Sequence, residues 1–457
     1  MILHGARLGL SILGVLAAMA VRVAAQDVAG DWQGTLKGPG VELRVVVHLT
    51  RGASGLTGTL DSPDQAASGI ALAAAALTGN TLTFSVPAVN GSYTGTLTPQ
   101  GSIDGSWSQG GQGLPLALTR VTNVASLSPR RPQTPAPPYP YGEEDVSYTS
   151  APGVRLAATL TLPAGAGPFP AVVLITGSGP QDRDETLLGH KPFKVLADHL
   201  TRQGIAVLRA DDRGSGSSTG TFATATSMDF AADAEAGLTY LANRKEINPG
   251  KLGLVGHSEG GVVAPIVAAR NRAVAFIVLL AGSGVPGDEV LLAQQALIAT
   301  ANGAPPELVQ RASAAMREVF AAIKTEKDDT ALAAALRQRL AALIPAAQVD
   351  AQVQTLLSPW YRYFLTYDPR PTLRAVRCPV LALTGEKDLQ VPATANLAAI
   401  KAALDEGGNT RSQVEELPGL NHLFQHATTG SPAEYARIEE TVATEVLEKV
   451  SGWILKQ

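Results

Sequence analysis

The sequence is poor in cysteine, charge and aromatic rings. Its 457 residues include one cysteine, Cys378, which excludes an intrachain disulfide and any multi-cysteine metal site. Charged residues make up only 17%, with 36 Lys+Arg against 40 Asp+Glu, and no long basic run appears, so nucleic acid is not an expected partner. The seven histidines are scattered without a ligand cluster, so neither a metal nor an organic cofactor is expected. Beyond the amino end no uninterrupted apolar run approaches the ~20 residues of a membrane-spanning helix. The 46 glycines and 30 prolines make a turn-rich chain that is still below the roughly 25–30% of low-complexity sequences. Hydrophobic residues, at 45%, suffice for a sizeable core. The length is about three times a ~150-residue domain, which predicts one large unit and an accessory one.

At the amino end Arg7 precedes an apolar run from Leu8 to Val21, followed by Ala24 and Ala25. This pattern predicts a secretory signal peptide over residues 1–25, hence a secreted or periplasmic protein with no stable membrane span after cleavage. Residues 26–122 alternate apolar and polar positions with period two, as in Val41, Leu43, Val45, Val47 and Leu49, between glycine-rich turns. Short strands at even spacing predict a small β-sandwich or barrel. Residues 123–141 form a linker whose last fourteen residues hold six prolines, a composition that favours a semi-rigid extended chain.

From residue 142 to 457 the texture changes. Continuous apolar runs such as Ala171 to Ile175, Leu252 to Val255 and Val380 to Leu383 alternate with helical stretches, the pattern of a mostly parallel sheet covered by helices on both faces. Alanine-rich helical sequence interrupts the alternation over residues 286–374 and predicts an inserted helical cap. A final helix is expected from Pro432 to Leu455.

Two segments match G-x-S-x-G, one around Ser258 and one around Ser218. Only the first lies between a buried strand, Lys251 to Val255, and a helix, Gly261 to Ala269, as a nucleophile elbow requires. Ser218 follows a polar loop and leads into more Ser, Thr and Gly, so it reads as loop. A serine hydroxyl needs a base, and an imidazole suits that task near neutral pH. In the chain order of α/β-hydrolases, nucleophile then acid then histidine, only His422 and His426 qualify. His422 lies in a Pro/Gly-containing loop just after the strand Gln413 to Leu417 and is the expected base. The acid should sit at a strand end between the two, where catalytic groups collect in open α/β sheets. Asp388, three residues past Gly385, is the choice, with Glu386 as its rival. The oxyanion of acyl transfer needs main-chain donors, expected from Glu259 directly after the nucleophile and from Ser178 in the loop after an early strand. Gln181, Asp182 and Arg183 are read as braces of that loop.

Taken together, Thr176 to Arg183, Asp212-Arg213-Gly214, Gly256-His257-Ser258-Glu259-Gly260-Gly261, Gly385-x-x-Asp388 and Asn421-His422 resemble bacterial secreted serine esterases of the α/β-hydrolase fold, with feruloyl-esterase-like and dienelactone-hydrolase-like relatives. The resemblance runs from Tyr148 to the carboxyl end. It departs at Thr176, where many relatives carry histidine, and the amino-terminal β-unit looks like an accessory domain. It implies an α/β-hydrolase fold with a helical cap and an ester as small-molecule substrate. Gly177, His257, Trp360 and Tyr363 are candidates for the substrate pocket. Five of the 22 aromatic residues crowd into the segment that holds Trp360 and Tyr363, and they serve either as pocket wall or as packing between cap and domain. The expected activity is carboxylic ester hydrolysis through Ser258, His422 and Asp388. A peptidase, aminopeptidase or thioesterase on the same fold is the alternative, and a binding module with a silent hydrolase site is the non-enzymatic one.

Overall fold

The computed structural model describes residues 27–38, 41–53, 55–65, 67–121 and 130–457. The expected signal peptide and the first part of the expected linker lie outside the described residues. Among the described residues no helix is long and apolar enough to cross a membrane.

Nine strands come first: β1 Gly30–Gly38, β2 Val41–Gly52, β3 Gly55–Ser62, β4 Ala67–Ala71, β5 Ala73–Thr78, β6 Thr81–Val86, β7 Gly91–Leu97, β8 Ile103–Gln109 and β9 Gln112–Val121. They pair antiparallel in the order β4-β3-β2-β1-β9-β8-β7-β6-β5. Between β4 and β5, Leu72 donates its N–H to Gly58 O at 3.0 Å, so the two short strands run as one bent strand that joins β3 to β6. The sheet is therefore barrel-like. Period-two alternation turns Trp32, Val47, Leu82, Phe84, Tyr93 and Leu118 into a filled interior. The buried rings keep their polar ends satisfied, with the Trp32 indole donating to Val28 O at 2.8 Å. The alanine-rich strands β4 and β5 carry no strong alternation of large side chains, and their pairing is set by the neighbours.

Eight further strands form a second sheet: β10 Gly142–Ala151, β11 Val154–Leu162, β12 Phe169–Ile175, β13 Ala206–Ala210, β14 Ile247–His257, β15 Phe276–Leu280, β16 Val380–Gly385 and β17 Ser412–Leu417. Their order is β10-β11-β13-β12-β14-β15-β16-β17, antiparallel at β10/β11 and β11/β13 and parallel from β13 onward. Counted from β10 this is 1-2-4-3-5-6-7-8, the order of the α/β-hydrolase fold. The continuous apolar runs divide by parity. In β12, Val172 and Leu174 join the core under α1 Pro192–Arg202 and α11 Thr444–Ile454. Ala171, Val173 and Ile175 join the core under α2 Ser227–Ala242, α3 Gly260–Arg270 and α10 Ala393–Glu406. Both faces of the inner strands β12, β13, β15 and β16 are buried, so the sequence shows no alternation there.

The cap comprises α4 Gly287–Ala301, α5 Pro306–Thr325, α6 Asp329–Leu340, α7 Ala346–Leu357 and α8 Pro359–Thr366, while α9 Pro369–Ala375 packs its Leu373 into the main core with α3 and α10. It has its own core, in which Val319, Phe320, Leu332, Leu336, Val353, Leu356 and Leu365 are buried together. The expected closing helix is shorter than its apolar pattern suggested: a 3-10 turn spans Pro432–Glu434, and α11 begins only at Thr444. Competing partners occupy the main chain between them. Arg131 donates to Ala436 O and Ile438 O, both at 2.8 Å, and the Gln133 side-chain Oε1 accepts from the N–H groups of Thr441 and Val442. The described part of the proline-rich segment is thus tied to the hydrolase unit.

Candidate active site

The loops at the carboxyl ends of β12, β14, β16 and β17 converge on one cavity of about 310 Å³. Gly177, Ser178, His257, Ser258, Glu259 and His422 line it, with Trp360 and Phe364 of α8 and Val290 and Leu291 of α4 from the cap. This apolar wall with a few converging polar groups is the usual constitution of a small-molecule site.

Ser258 sits at the tip of the β14–α3 turn with φ 53°, a left-handed conformation that an L residue adopts only at a cost. Its N–H donates to Leu280 O at 2.8 Å, which pins the turn to the next strand. The flanking glycines are sterically required: a Cβ on Gly256 would lie 1.9 Å from Gly260 O, and one on Gly260 would lie 2.1 Å from Ile175 O. Strand and helix therefore meet closely enough to present Ser258 at the cavity.

His422 Nδ1 lies 2.8 Å from Asp388 Oδ2. The other Asp388 oxygen accepts the N–H groups of Gln390 and Val391, each at 2.8 Å, which fixes the carboxylate. Both side chains are almost fully withdrawn from solvent, with relative exposures of 2% for Asp388 and 5% for His422. Asn421 builds the histidine's turn, its side-chain Oδ1 accepting from Leu423 N–H and Gln425 N–H. The two rivals lie elsewhere. Glu386 accepts from Gly419 N–H at 2.8 Å, and His426 is exposed, paired with Glu440 and Glu445. Ser218 bridges Asp211 O and Ala157 N–H within a loop, away from the cavity lining.

The loop after β12 reaches the nucleophile closely enough that a Cβ on Gly177 would come within 3.2 Å of Ser258 Cβ. The Gly177 N–H is engaged with Glu185 Oε1 at 2.7 Å. By contrast, the N–H groups of Ser178 and Glu259 have no hydrogen-bond acceptor among the described residues. Two unpaired main-chain donors beside a strained serine form the arrangement an oxyanion would fill. The loop is braced by carboxylates: Thr176 Oγ1 and Gln181 N–H donate to Asp212, while Arg183 pairs with Asp211 at 2.8 Å. Burial pushes the Asp212 carboxyl up to about 7.

Sequence reasoning reached Glu259 only through its main chain. Its carboxyl is 3% exposed and accepts from Ser227 Oγ at 2.6 Å and Trp360 Nε1 at 2.8 Å, with the Ser178 hydroxyl as a further partner. Burial raises its pKa, and no Lys, Arg or His among the described residues pairs with it. Trp360 lines the cavity, and Phe364, one turn on and stacked with it at 5.2 Å, lies on the same face of α8. Tyr363 is not among the lining residues; it faces an adjacent side of α8 and stacks on Tyr367 at 5.4 Å. Glu185, which the sequence did not single out, also lines the cavity. Among the described residues no group of His, Cys, Asp and Glu could hold a metal ion.

The fold and this site define a serine hydrolase of the α/β-hydrolase fold. Residues 152–412, more than half of the chain, match the X-Pro dipeptidyl-peptidase (S15 family), and the chain belongs to that family. The matched segment contains Ser258 and Asp388 and ends before His422. Esterase EstD of Thermotoga maritima is 26% identical over 320 residues, covering 70% of this chain and 69% of that protein. Among solved structures, an esterase of Pyrococcus furiosus is 16% identical with a TM-score of 0.44, covering 69% of this chain and 91% of its own. Dienelactone hydrolase from Anabaena variabilis is 16% identical with a TM-score of 0.40, over 70% of this chain and 99% of its own.

Proposed function

We propose that the protein is a carboxylic ester hydrolase working through Ser258, His422 and Asp388. The observation that carries this reading is the buried Asp388–His422 pair opening on the cavity that holds the elbow serine. With Nδ1 engaged by Asp388, the imidazole is left to take the Ser258 proton at Nε2 as the hydroxyl oxygen attacks the ester carbon. Negative charge on the former carbonyl oxygen is received by the Ser178 and Glu259 N–H groups, each such donor contributing roughly 10²–10³ in rate. The tetrahedral adduct collapses, the alcohol leaves with the proton held by His422, and an acyl-Ser258 ester remains. Water, deprotonated by His422, cleaves that ester to the carboxylic acid and restores the serine. No metal or organic cofactor takes part in these steps. A cavity of about 310 Å³ is at the small end for ligand sites, which favours small or medium acyl and aryl esters.

Peptide cleavage is the second reading, favoured by family membership and by Glu259, an acidic side chain on the cavity wall without a cationic partner. It already accepts from Ser227, Trp360 and the Ser178 hydroxyl, and burial favours its neutral form, so esters lead. Turnover of short, medium and aryl acyl esters beside aminoacyl amides, with Ser258→Ala as control, decides between them. Ester hydrolysis that vanishes in the variant is the expected result. Preferential amide cleavage moves the protein to peptidase, and no turnover of any substrate moves it to a binding role. Export is proposed from the apolar run Leu8 to Val21, and a mature chain beginning with Met1 would contradict it.

A further inference from the structure

Beside the Asp388–His422 pair lies a second buried acid–imidazole pair that the reaction above does not use. Glu185 Oε1 accepts the Gly177 N–H at 2.7 Å and faces His257 Nδ1 at 2.9 Å. On the far side of the ring, His257 Nε2 faces the main-chain oxygen of His422 at 3.0 Å. Glu185 and His257 are both buried, and their side chains connect three separate segments: the loop after β12, the strand end that carries Ser258, and the turn that carries His422.

We infer that Glu185 and His257 are a positioning pair that sets the oxyanion loop and the His422 turn against the nucleophile elbow, with His257 acting as an imidazolium. This rests on the proposed serine-hydrolase reaction. Both ring nitrogens of His257 face oxygen acceptors, and a neutral imidazole has only one N–H. Either neutral tautomer would set a lone pair against an oxygen. Against a Glu185 carboxylate only the cation satisfies both contacts, and Glu185, whose other oxygen is buried without a partner, supplies its counter-charge. Burial is the largest influence and works against that charge, but the Glu185 carboxylate, the His422 carbonyl and Asp388 together outweigh it and hold the His257 pKa above its usual value. Besides Glu185, the charged group that acts on the ring is Asp388, and the His422 imidazole lies beside it at 4.9 Å between centroids. Glu185 in turn acts on Asp212 at the loop's other brace, adding to the burial that raises its carboxyl.

Glu185 is held for this task at a conformational cost. Its φ is 53°, and Asp182 fixes the turn around it, its main-chain oxygen accepting from Glu185 N–H and its side chain from Asp184 and Thr186 N–H. Because Glu185 consumes the Gly177 N–H, the loop presents Ser178 N–H as the free donor.

The test follows hydrolysis of an aryl acetate from about pH 6 to about pH 9 by wild type, Glu185→Gln, His257→Gln and the double variant, with the His257 ring nitrogens of wild type observed by NMR. Glu185→Gln keeps the shape and the acceptor for Gly177 but removes the counter-charge. We expect KM within about twofold of wild type and kcat lower by about 10–100-fold, the size of effect produced by misplacing a donor. Its kcat should also fall as pH rises through the ionisation of His257, at a lower pH than in wild type. The double variant should lose no more than the worse single one, since the pair acts as a unit. Two protonated ring nitrogens on His257 at neutral pH are expected. A neutral His257 in wild type, a raised KM at unchanged kcat, or an unaltered pH profile in Glu185→Gln would each overturn the inference. Full activity in Ser258→Ala would instead overturn the reaction on which it rests.

Discussion

Replacing Asp388 by asparagine tests the reaction through a single atom. Asp388 Oδ1 accepts from two main-chain N–H groups, those of Gln390 and Val391, while Oδ2 meets His422. An amide at this position keeps its oxygen on the two N–H donors and turns its NH₂ toward His422 Nδ1. The imidazole must then accept at Nδ1 and carry its proton on Nε2, the nitrogen that has to receive the serine proton. The base is present in the wrong tautomer. Losses of about 10⁴ in kcat attend this change in serine hydrolases, equivalent to about 5.5 kcal/mol of barrier. The fold should hold, because both main-chain bonds to the side chain survive, and Tm should move by no more than about 4 °C. Steady-state kinetics on an aryl acetate and thermal unfolding of the same samples provide the measurement. An Asp388→Asn enzyme retaining a tenth of wild-type kcat, or losing activity only together with its fold, would refute the reasoning.

Three further outcomes follow from the same geometry. Trp360→Phe removes the indole donor that ties α8 to the Glu259 carboxyl, and kcat/KM for longer acyl esters should fall about tenfold while acetyl esters change little; an unchanged chain-length profile contradicts the role given to Trp360. Gly260→Ala would press a Cβ to 2.1 Å from Ile175 O, so denaturant unfolding should show a loss of at least about 3 kcal/mol, and a wild-type midpoint would contradict the packing. Asp212, raised to about 7 by burial, binds a proton in the folded state that the unfolded chain has released above its ordinary pKa near 3.8. Its contribution to stability is therefore present at acid pH and lost as pH rises toward 7, and the stability of Asp212→Asn should fall less over that interval.

Much of the site was readable because the elbow is local. Gly256 to Gly261 must sit between a buried strand and a helix, and both are recognisable from a few residues of context. The assignments of His422 and Asp388 followed from chain order, and the structure places the two in contact. What escaped were contacts between distant segments. Glu185 gives no sign in sequence that its side chain meets His257, 72 positions away, and the Glu259–Trp360 bond spans 101 positions. The closing helix was overextended because apolar spacing persists through residues 435–443, where Gln133 and Arg131 claim the main-chain groups a helix would need. In the amino-terminal barrel, period two was visible wherever large side chains alternate, as in Leu82, Phe84 and Val86. It was not visible in β4 and β5, where small residues leave pairing to the neighbours.

The most direct measurement is covalent labelling of the intact protein with an aryl fluorophosphonate, which loses fluoride to form a phosphonyl-serine ester that mimics the tetrahedral acyl-transfer intermediate, followed by peptide mapping. One equivalent attached at Ser258, abolished in Ser258→Ala and slowed in Asp388→Asn, is the predicted result. Labelling at Ser218, or undiminished labelling in Ser258→Ala, would contradict the account.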